Sequence, residues 1–256
     1  MTRILCVASG KGGVGKTTTV INLGAALFHF GQRVLIIDGN VTTPNLSLHL
    51  GIAKEKPTLH DVLEGSVSIE NAIHLHSSGL MVIPAGISLT NLRKIYKKTI
   101  AQAITGIAGR FDWVLIDVPA GLGREARLAI EAANEVVVVT NPELPAAVDA
   151  LKVSRLAKNL GTSPLGVIVN KFAGEKEEMS PENVAEFVEL PLLGVIPYST
   201  LFLKALSAKY PLVLLYPNST PAVQYKKIAA ALLGERYEII EKPSIIQRIR
   251  RFLIRI

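Results

Sequence analysis

The chain has 256 residues, of which 49% are hydrophobic, and it carries a formal net charge of +7. This length and apolar content allow one domain with a substantial core and exclude a disordered chain, whereas the longest apolar runs, such as residues 135–140 and 211–217, are far shorter than the ~20 residues of a membrane-spanning helix. The single cysteine, Cys6, excludes an intrachain disulfide framework and a cysteine cluster that could bind zinc or iron–sulfur.

The predicted strands are short runs rich in β-branched residues, and they alternate with helical patterns along the chain. They comprise residues 3–8, 33–38, 80–84, 113–117, 135–140, 165–169 and 192–196. The predicted helices comprise approximately residues 16–30, 58–64, 92–109, 124–133, 144–160, 181–188, 201–208 and 220–233. Each strand is apolar on both faces, which is typical of a parallel sheet covered by helices on both sides. The sequence therefore predicts an α/β fold with a doubly wound, mostly parallel sheet.

The segment ASGKGGVGKTTTV, residues 8–20, lies between the first predicted strand and the first predicted helix. Gly10 to Thr17 fits the complete phosphate-loop pattern G-x-x-x-x-G-K-[ST]. In such a loop the glycines allow backbone N–H groups to point at phosphates, Lys16 reaches the β and γ phosphates, and the Thr17 hydroxyl binds Mg²⁺. The residues predicted to bind nucleotide here are Gly10, Lys11, Gly12, Gly13, Val14, Gly15, Lys16, Thr17 and Thr18.

A second lysine, Lys11, follows Gly10 directly, although a phosphate loop requires only one. Its charge could point back across the phosphate site and serve a neighbouring subunit, and a solvated loop lysine is the alternative. The full motif KGGVGKTT resembles that of the deviant-P-loop ATPases of the MinD/ParA group, whose signature lysine acts across a dimer that sandwiches ATP. Lys11 and Lys16 match the two lysines of that motif. The resemblance therefore implies a homodimer that binds ATP and Mg²⁺.

The resemblance covers residues 2–233, and the family's motifs occur in order. Residues 34–51 match switch I, and residues 113–121 match the Walker B strand with switch II. Residues 139–143 match the strand that follows. Residues 58–63 and 82–86 resemble the MinD branch more closely than the plasmid-partition ParA branch. The implied fold is a P-loop NTPase domain over residues 1–240, followed by a short linker and a C-terminal amphipathic helix over residues 241–256.

The family's roles transfer to matching positions. Thr17, Asp38 and Asp117 would bind or orient the Mg²⁺ shell, because a metal–phosphate site needs carboxylates there. Asn45 would help to position the attacking water. The resemblance implies the catalytic set Lys11, Lys16, Asn40, Asn45 and Asp117.

The adenine site is implied by the same resemblance, which places the base against Asn170 and the segment that begins at Pro197. The residues VNKF, 169–172, resemble the guanine-specific N-K-x-D motif only in part, because position 173 is alanine. The aspartate that would pair with guanine is therefore missing, and the sequence favours ATP over GTP. For Asn170 the alternative is that it merely caps a loop.

Switch I departs from the family pattern D-x-D, because this chain has Asp38, Gly39 and Asn40. The second aspartate of the family takes the proton of the attacking water or polarises it. A neutral amide cannot do this, although it can still form a hydrogen bond with the water. We expect folding, ATP binding and dimerisation to survive while hydrolysis slows strongly, since one lost catalytic group can cost ~10³-fold in phosphoryl transfer. Natural drift and a deliberate Asp→Asn substitution that traps the ATP-bound dimer both account for Asn40. We favour the second, because Asp→Asn keeps the shape of the side chain and removes its charge.

The C-terminal residues 244–256, SIIQRIRRFLIRI, contain four of the positive charges and no acid. On a helix one apolar arc about 120° wide would form, from Ile245, Ile246, Ile249, Phe252, Leu253 and Ile256. The opposite side would carry Gln247, Arg248, Arg250, Arg251 and Arg255, and only Ile254 falls on the wrong side. This pattern is typical of a helix in a membrane interface, with guanidinium groups toward anionic headgroups. A core helix, a nucleic-acid patch and a partner-binding helix are the alternatives.

These observations predict an ATPase switch on the inner face of the cell membrane. ATP would dimerise the protein, the predicted membrane-contact residues would hold it to anionic lipid, and it would position or recruit an unidentified protein partner in cell division or spatial organisation. Those contact residues are Ile245, Ile246, Arg248, Ile249, Arg251, Phe252, Leu253, Arg255 and Ile256. The first strand pattern begins near the first methionine and leaves no room for a signal peptide, so a cytoplasmic, peripheral location is expected.

Two other functions stay open at this point. One is a ParA-like partition ATPase associated with DNA, although nucleic acid would not need six large apolar residues opposite the arginines. The other is a scaffold that holds ATP without hydrolysing it, if Asn40 is native. Iron–sulfur relatives of the group are disfavoured, because their bridging cluster requires a cysteine pair that this chain lacks.

Overall fold

The computed structural model describes residues 1–40, 44–52, 57–86, 99–107 and 109–237. Within these ranges no helix is both long and apolar enough to cross a bilayer. The predicted C-terminal amphipathic helix and the first part of the predicted helix at 92–109 lie outside the described residues. The domain boundary near residue 240 therefore stays a prediction.

Eight strands of the described chain form a single sheet. They are β1 (Arg3–Ala8), β2 (Val34–Asp38), β3 (His74–Leu75), β4 (Met81–Ile83), β5 (Trp113–Asp117), β6 (Glu135–Thr140), β7 (Ser163–Phe172) and β8 (Leu192–Pro197). Their order across the sheet is β3-β4-β2-β5-β1-β6-β7-β8. All pairings are parallel except the edge pair of β3 with β4. The prediction of a doubly wound, mostly parallel sheet is confirmed.

The helices connect these strands. They are α1 (Lys16–His29), α2 (Leu46–Leu50), α3 (Leu59–Glu64), α4 (Ile100–Thr105), α5 (Arg124–Glu131), α6 (Leu144–Asn159), α7 (Pro181–Val188), α8 (Leu201–Ser207), α9 (Leu212–Leu215) and α10 (Thr220–Leu233), with a 3-10 turn at Glu70–Ala72. Several begin with sequence signals for a helix start. Ser180 caps α7 by accepting a hydrogen bond from the N–H of Asn183, and Pro181 follows at the first helical position.

The core has two layers, one on each face of the sheet, and β1 contributes to both. Leu5 and Val7 pack with α1 and α10, whereas Cys6 and Ala8 pack with α5 and α6. All four side chains are at most 1% exposed. Successive strand residues point to opposite faces, so a strand buried on both sides must be apolar throughout. Burial also raises the pKa of the Cys6 thiol.

The order of the strands determines where a ligand can bind. The chain leaves β1 toward β2 on one side of the sheet, and after β5 it crosses to β6 on the other side of β1. Ligands of open α/β sheets bind at such a switch point, beyond the carboxyl ends of the strands. The loop that follows β1 lies at this point, and it is the predicted phosphate loop.

The seven predicted strands are all present, with small differences in their ends. The sequence reasoning missed β3, α2 and α9, which have two, five and four residues. Elements of this length contain too few residues to display a period of 2.0 or 3.6. The described part of the predicted helix at 92–109 contains α4. This helix begins with a capping box between Thr99 and Gln102.

Candidate functional site

The phosphate loop joins β1 to α1, and two of its glycines have backbone conformations that only glycine adopts easily. Gly13 has φ +77° and Gly15 has φ +98°. Gly15 caps the N-terminus of α1, so the first N–H groups of that helix point toward the loop. A helix N-terminus with glycine-rich backbone before it is an anion-binding site.

A cleft of about 720 Å³ lies above the loop. Most of the residues predicted to bind nucleotide or metal line it, together with others from switch I, switch II and β7. The lining consists of Gly12, Gly13, Gly15, Lys16, Thr17, Thr18, Asn40, Asn45, His49, Asp117, Val118, Pro119, Ala120, Glu125 and Lys171. The volume lies within the range usual for small-molecule sites. Segments far apart in sequence thus converge on the predicted phosphate loop.

Lys16 lies at the inner wall of this cleft and is 9% exposed. Its Nζ donates to Ser9 Oγ at 3.0 Å, and Ser9 Oγ in turn donates to the carbonyl oxygen of Lys11 at 2.7 Å. Burial lowers the pKa of Lys16, and the Asp117 carboxylate opposes that shift. The Lys16 ammonium is largely removed from water and donates to a neutral hydroxyl, so it is well placed to bind the negative charge of a phosphate.

Two buried carboxylates lie side by side at the ends of β2 and β5. Asp117 at the end of β5 accepts a hydrogen bond from Thr17 Oγ1 at 2.5 Å, while its Oδ1 has no hydrogen-bond partner among the described residues. Asp38 at the end of β2 accepts backbone N–H bonds from Asn40 and Leu46 at 3.0 and 3.2 Å. Burial raises the pKa of both carboxyls, and the charge of Asp117 adds to the shift at Asp38.

These oxygens fit a magnesium ion. Mg²⁺ prefers carboxylate, hydroxyl and water oxygens, and it usually retains several waters in phosphate sites. A buried carboxylate oxygen without a partner is costly unless a cation or a donor satisfies it. Asp117 Oδ1 therefore marks where a cation, or water in its shell, would be stabilised, with Thr17 and Asp38 beside it.

Lys11 has a different environment from Lys16. Its side chain is 45% exposed, and its Nζ lies 3.1 Å from Oε2 of Glu143, which is itself 52% exposed. Glu143 is the N-terminal cap residue of α6. Lys11 is not among the residues that line the cleft. An exposed pair of this kind contributes at most about 1 kcal/mol, so the lysine can exchange its partner at little cost.

Switch I brings two further predicted residues to the cleft. Asn40 follows β2 by two residues, and Asn45 caps the N-terminus of α2. Both line the cleft. Their predicted roles toward the attacking water stay predictions.

The two residues predicted to contact adenine lie at the ends of neighbouring strands. Asn170 is 4% exposed, and its Nδ2 donates to the carbonyl oxygen of Val14 at 2.6 Å. Pro197 ends β8 and pairs with Phe172 of β7. Neither residue lines the cleft. The contact that the structure gives Asn170 is with the loop, and its role toward adenine stays a prediction.

A close contact between the loop and α6 yields a prediction for Gly10→Ala. A Cβ at position 10 would lie 2.6 Å from both Cβ and the carbonyl oxygen of Asp149. We expect the variant to lose about 1–3 kcal/mol of unfolding free energy, which is typical of overpacking, and to bind Mg-ADP more weakly. Urea unfolding and calorimetric titration measure both quantities.

Gly123→Ala is the matched control. A Cβ at Gly123 meets no atom within 4 Å, and its φ of −67° suits any residue. We expect a change below about 0.5 kcal/mol. Equal stability of the two variants would contradict the tight packing at Gly10.

Sequence reasoning missed several residues around the site, among them Ser9, His49, Glu143 and Lys171. Lys171 was visible in the motif VNKF, but nothing in the pattern indicated its target. Lys11 and Glu143 are separated by 132 positions, so their pairing depends on how β1 and β6 align.

Known proteins resemble this chain over nearly its whole length. The family model described as ParA, "NUBPL iron-transfer P-loop NTPase", matches residues 1–233. An uncharacterized ATP-binding protein of Methanocaldococcus jannaschii is 39% identical over 234 residues, which cover 91% of this chain and 89% of that protein. The septum site-determining protein MinD of Pyrococcus horikoshii, complexed with Mg-ADP, has a TM-score of 0.86 at 34% identity and covers 96% of this chain and 99% of its own. The MinC:MinD cell division protein complex of Aquifex aeolicus has a TM-score of 0.81 at 28% identity, with 93% and 98% covered.

Proposed function

The chain belongs to the ParA/MinD family of P-loop ATPases, and from that premise we propose that it is an ATP-dependent dimerising switch that binds an anionic membrane surface and positions a partner protein. Its ligands are ATP and Mg²⁺, and its reaction is hydrolysis of ATP to ADP and phosphate. The dimer, the membrane and the partner are the proposed part.

The residues of the cleft have separable tasks in this reaction. The N–H groups at the start of α1 and the ammonium of Lys16 bind the β and γ phosphates. Thr17, Asp38 and Asp117 would hold magnesium, which supplies charge neutralisation between those phosphates when it is bound. Asn45 and Asn40 lie where they could orient the attacking water.

The position of Lys11 carries the proposal for a dimer. Lys16 lines its own cleft and is largely buried, whereas the Lys11 side chain is half exposed and, among the residues that the structure describes, pairs with the exposed carboxylate of Glu143. The flexible side chain can leave that carboxylate for the more strongly charged phosphates of a nucleotide bound to a second copy. ATP would then complete two sites at once, because each copy would contribute one lysine to the other.

The partner and the cellular process are inferred from relatives. A MinD is named a septum site-determining protein in Pyrococcus horikoshii, and a MinD forms a complex with MinC in Aquifex aeolicus. We propose a comparable role in cell division or spatial organisation for this chain, with a protein partner on the ATP-bound dimer. The cationic amphipathic sequence at residues 244–256 supports a membrane surface as the place of action.

An iron-transfer role, which the family model's description names, lacks support in this chain. Such a role through bridging thiolates needs a cysteine pair, and the sequence contains Cys6 alone. Cys6 is fully buried in β1. No group of three or more histidine, cysteine or acidic side chains in the described residues is arranged to hold a metal ion.

Dimerisation yields the decisive test. With Mg-ATP we expect the protein to double in mass by light scattering, and with Mg-ADP to remain a single copy. Lys11→Ala should remove the ATP-dependent dimer while it retains affinity for Mg-ADP within about threefold, because Lys16 and the loop still bind the phosphates.

Lys158→Ala is the matched control, since it removes an exposed lysine from the last turn of α6. It should dimerise like the parent protein. A parent protein that stays monomeric with bound ATP, or a Lys11→Ala variant that still dimerises fully, would contradict the proposed switch.

A further inference from the structure

Two consecutive residues of β7 bind two consecutive carbonyl groups of the phosphate loop. Asn170 Nδ2 donates to the carbonyl oxygen of Val14 at 2.6 Å, and Lys171 Nζ donates to the carbonyl oxygen of Gly13 at 2.7 Å. The residue pairs are 156 and 158 positions apart in sequence. Nothing in the phosphate-loop motif requires either contact, because the motif's own residues supply the phosphate ligands.

A regular strand could not make both contacts. Successive side chains of a strand point to opposite faces, so Asn170 and Lys171 would diverge. Here the register of β7 against β8 shifts between Asn170 and Phe172, and Lys171 has φ +61°. A bulge with one residue in the left-handed region redirects the chain, and both side chains then reach the loop. For a lysine this conformation costs about 1 kcal/mol relative to the right-handed region.

The loop is shaped to receive Asn170. A Cβ on Gly15 would collide with Nδ2 of Asn170, and Gly15 has φ +98°. The glycine is therefore required both by its backbone conformation and by the asparagine that lies against it. Asn170 is 4% exposed, so its hydrogen bond to Val14 is protected from water.

We propose that Asn170 and Lys171 form a loop clamp that orients the phosphate-binding N–H groups. A peptide unit is planar and trans, so its C=O and N–H point in opposite directions. Holding the carbonyl of Gly13 toward Lys171 turns the N–H of Val14 the opposite way, and holding the carbonyl of Val14 toward Asn170 does the same for the N–H of Gly15. The clamp thus fixes the two N–H groups for the nucleotide before it binds, and Lys171 and Asn170 act as positioning residues.

The loop clamp has a distinct functional signature. It acts on the phosphate cradle that ADP and ATP share, so it should affect both nucleotides equally. It requires neither Lys11 nor a second copy, and the inference therefore rests on the ATP site alone and not on the proposed dimer. Because glycine relieves the backbone strain at position 171, the clamp predicts a large loss of nucleotide affinity with little change in stability, whereas replacing a merely structural bulge residue would leave the affinity unchanged.

Lys171→Gly separates these two effects. Glycine adopts φ +61° without strain, and this relief offsets part of the lost hydrogen bond to Gly13, so we expect the melting temperature without nucleotide to change little. Affinity for Mg-ADP, measured by calorimetric titration, should fall tenfold or more, because the carbonyl of Gly13 is no longer held. Lys171→Arg retains a cationic donor and should recover most of that affinity.

Asn170 needs a second probe, since it is also the predicted adenine contact. Asn170→Ala should weaken Mg-ADP and Mg-IDP, which differ only in the base, by the same factor if it orients the loop. A loss confined to Mg-ADP would assign Asn170 to the base and overturn its part in the clamp. Affinity of Lys171→Gly within twofold of the parent protein would overturn the clamp altogether.

Discussion

Asn40→Asp is expected to raise the rate of ATP hydrolysis by ~10³-fold, which is the effect of restoring one catalytic group in phosphoryl transfer. Asn40 lies two residues beyond Asp38 and lines the cleft, where a carboxylate could polarise or deprotonate the attacking water. The substitution changes one side-chain nitrogen to oxygen and preserves the shape. Steady-state phosphate release in the presence of Mg²⁺ measures the rate.

Two controls define this result. The double variant Asn40→Asp with Lys16→Ala should show no gain, because the buried Lys16 is required for the phosphates. The parent protein and the Asn40→Asp variant should bind Mg-ADP with the same affinity, because the substitution affects the attacking water and not the bound diphosphate. Unchanged turnover in Asn40→Asp would identify the protein as a scaffold that holds ATP, and the proposed hydrolytic release from the membrane would fail.

Mg-ATP is expected to raise the affinity for acidic liposomes by ~10²-fold over Mg-ADP. Each arginine near an anionic surface contributes about 1 kcal/mol, and each half-buried apolar side chain about 1 kcal/mol. Ordering a 13-residue helix that is marginal in water would offset much of this gain, so one tail should bind weakly. Two tails on the proposed dimer would act at high effective concentration. Flotation and titration with vesicles that contain phosphatidylglycerol measure the difference.

A matched pair of substitutions tests the predicted apolar arc. Leu253 belongs to the predicted arc, so Leu253→Gln should weaken liposome binding at least tenfold. Ile254 is predicted to fall on the cationic side, so Ile254→Gln should have little effect. Removal of residues 241–256 should abolish binding while ATP-dependent dimerisation persists. Equal liposome binding with Mg-ATP and with Mg-ADP would contradict the membrane switch. Tail-dependent binding to duplex DNA without binding to liposomes would contradict it as well.

The sheet and the phosphate loop could be predicted because their signals are local. Strands buried on both faces must be apolar along their length, and the motif from Gly10 to Thr17 is contiguous. The carboxylates Asp38 and Asp117 were predicted from the resemblance to the family's switch I and Walker B motifs, and in the structure they pair in register across β2 and β5.

The remaining contacts of the site could not be predicted because they depend on tertiary alignment. Lys11 meets Glu143 only because β1 and β6 are neighbours in the sheet. Lys171 reaches the loop only through a bulge, and a bulge changes the direction of a side chain without a reliable signature in one sequence. Lys171 is visible next to Asn170 in the sequence, but nothing in the sequence predicts that its side chain contacts the phosphate loop.

The burial of Cys6 in the central strand has a practical consequence for experiments on this chain. Its thiolate is suppressed by the surrounding apolar side chains, and reagents that modify sulfur require an accessible thiolate. A cysteine introduced at Ser244 would therefore be the single reactive one in the native protein. A fluorophore attached there would report the arrival of the tail at a vesicle in real time, with no need to replace the natural sulfhydryl.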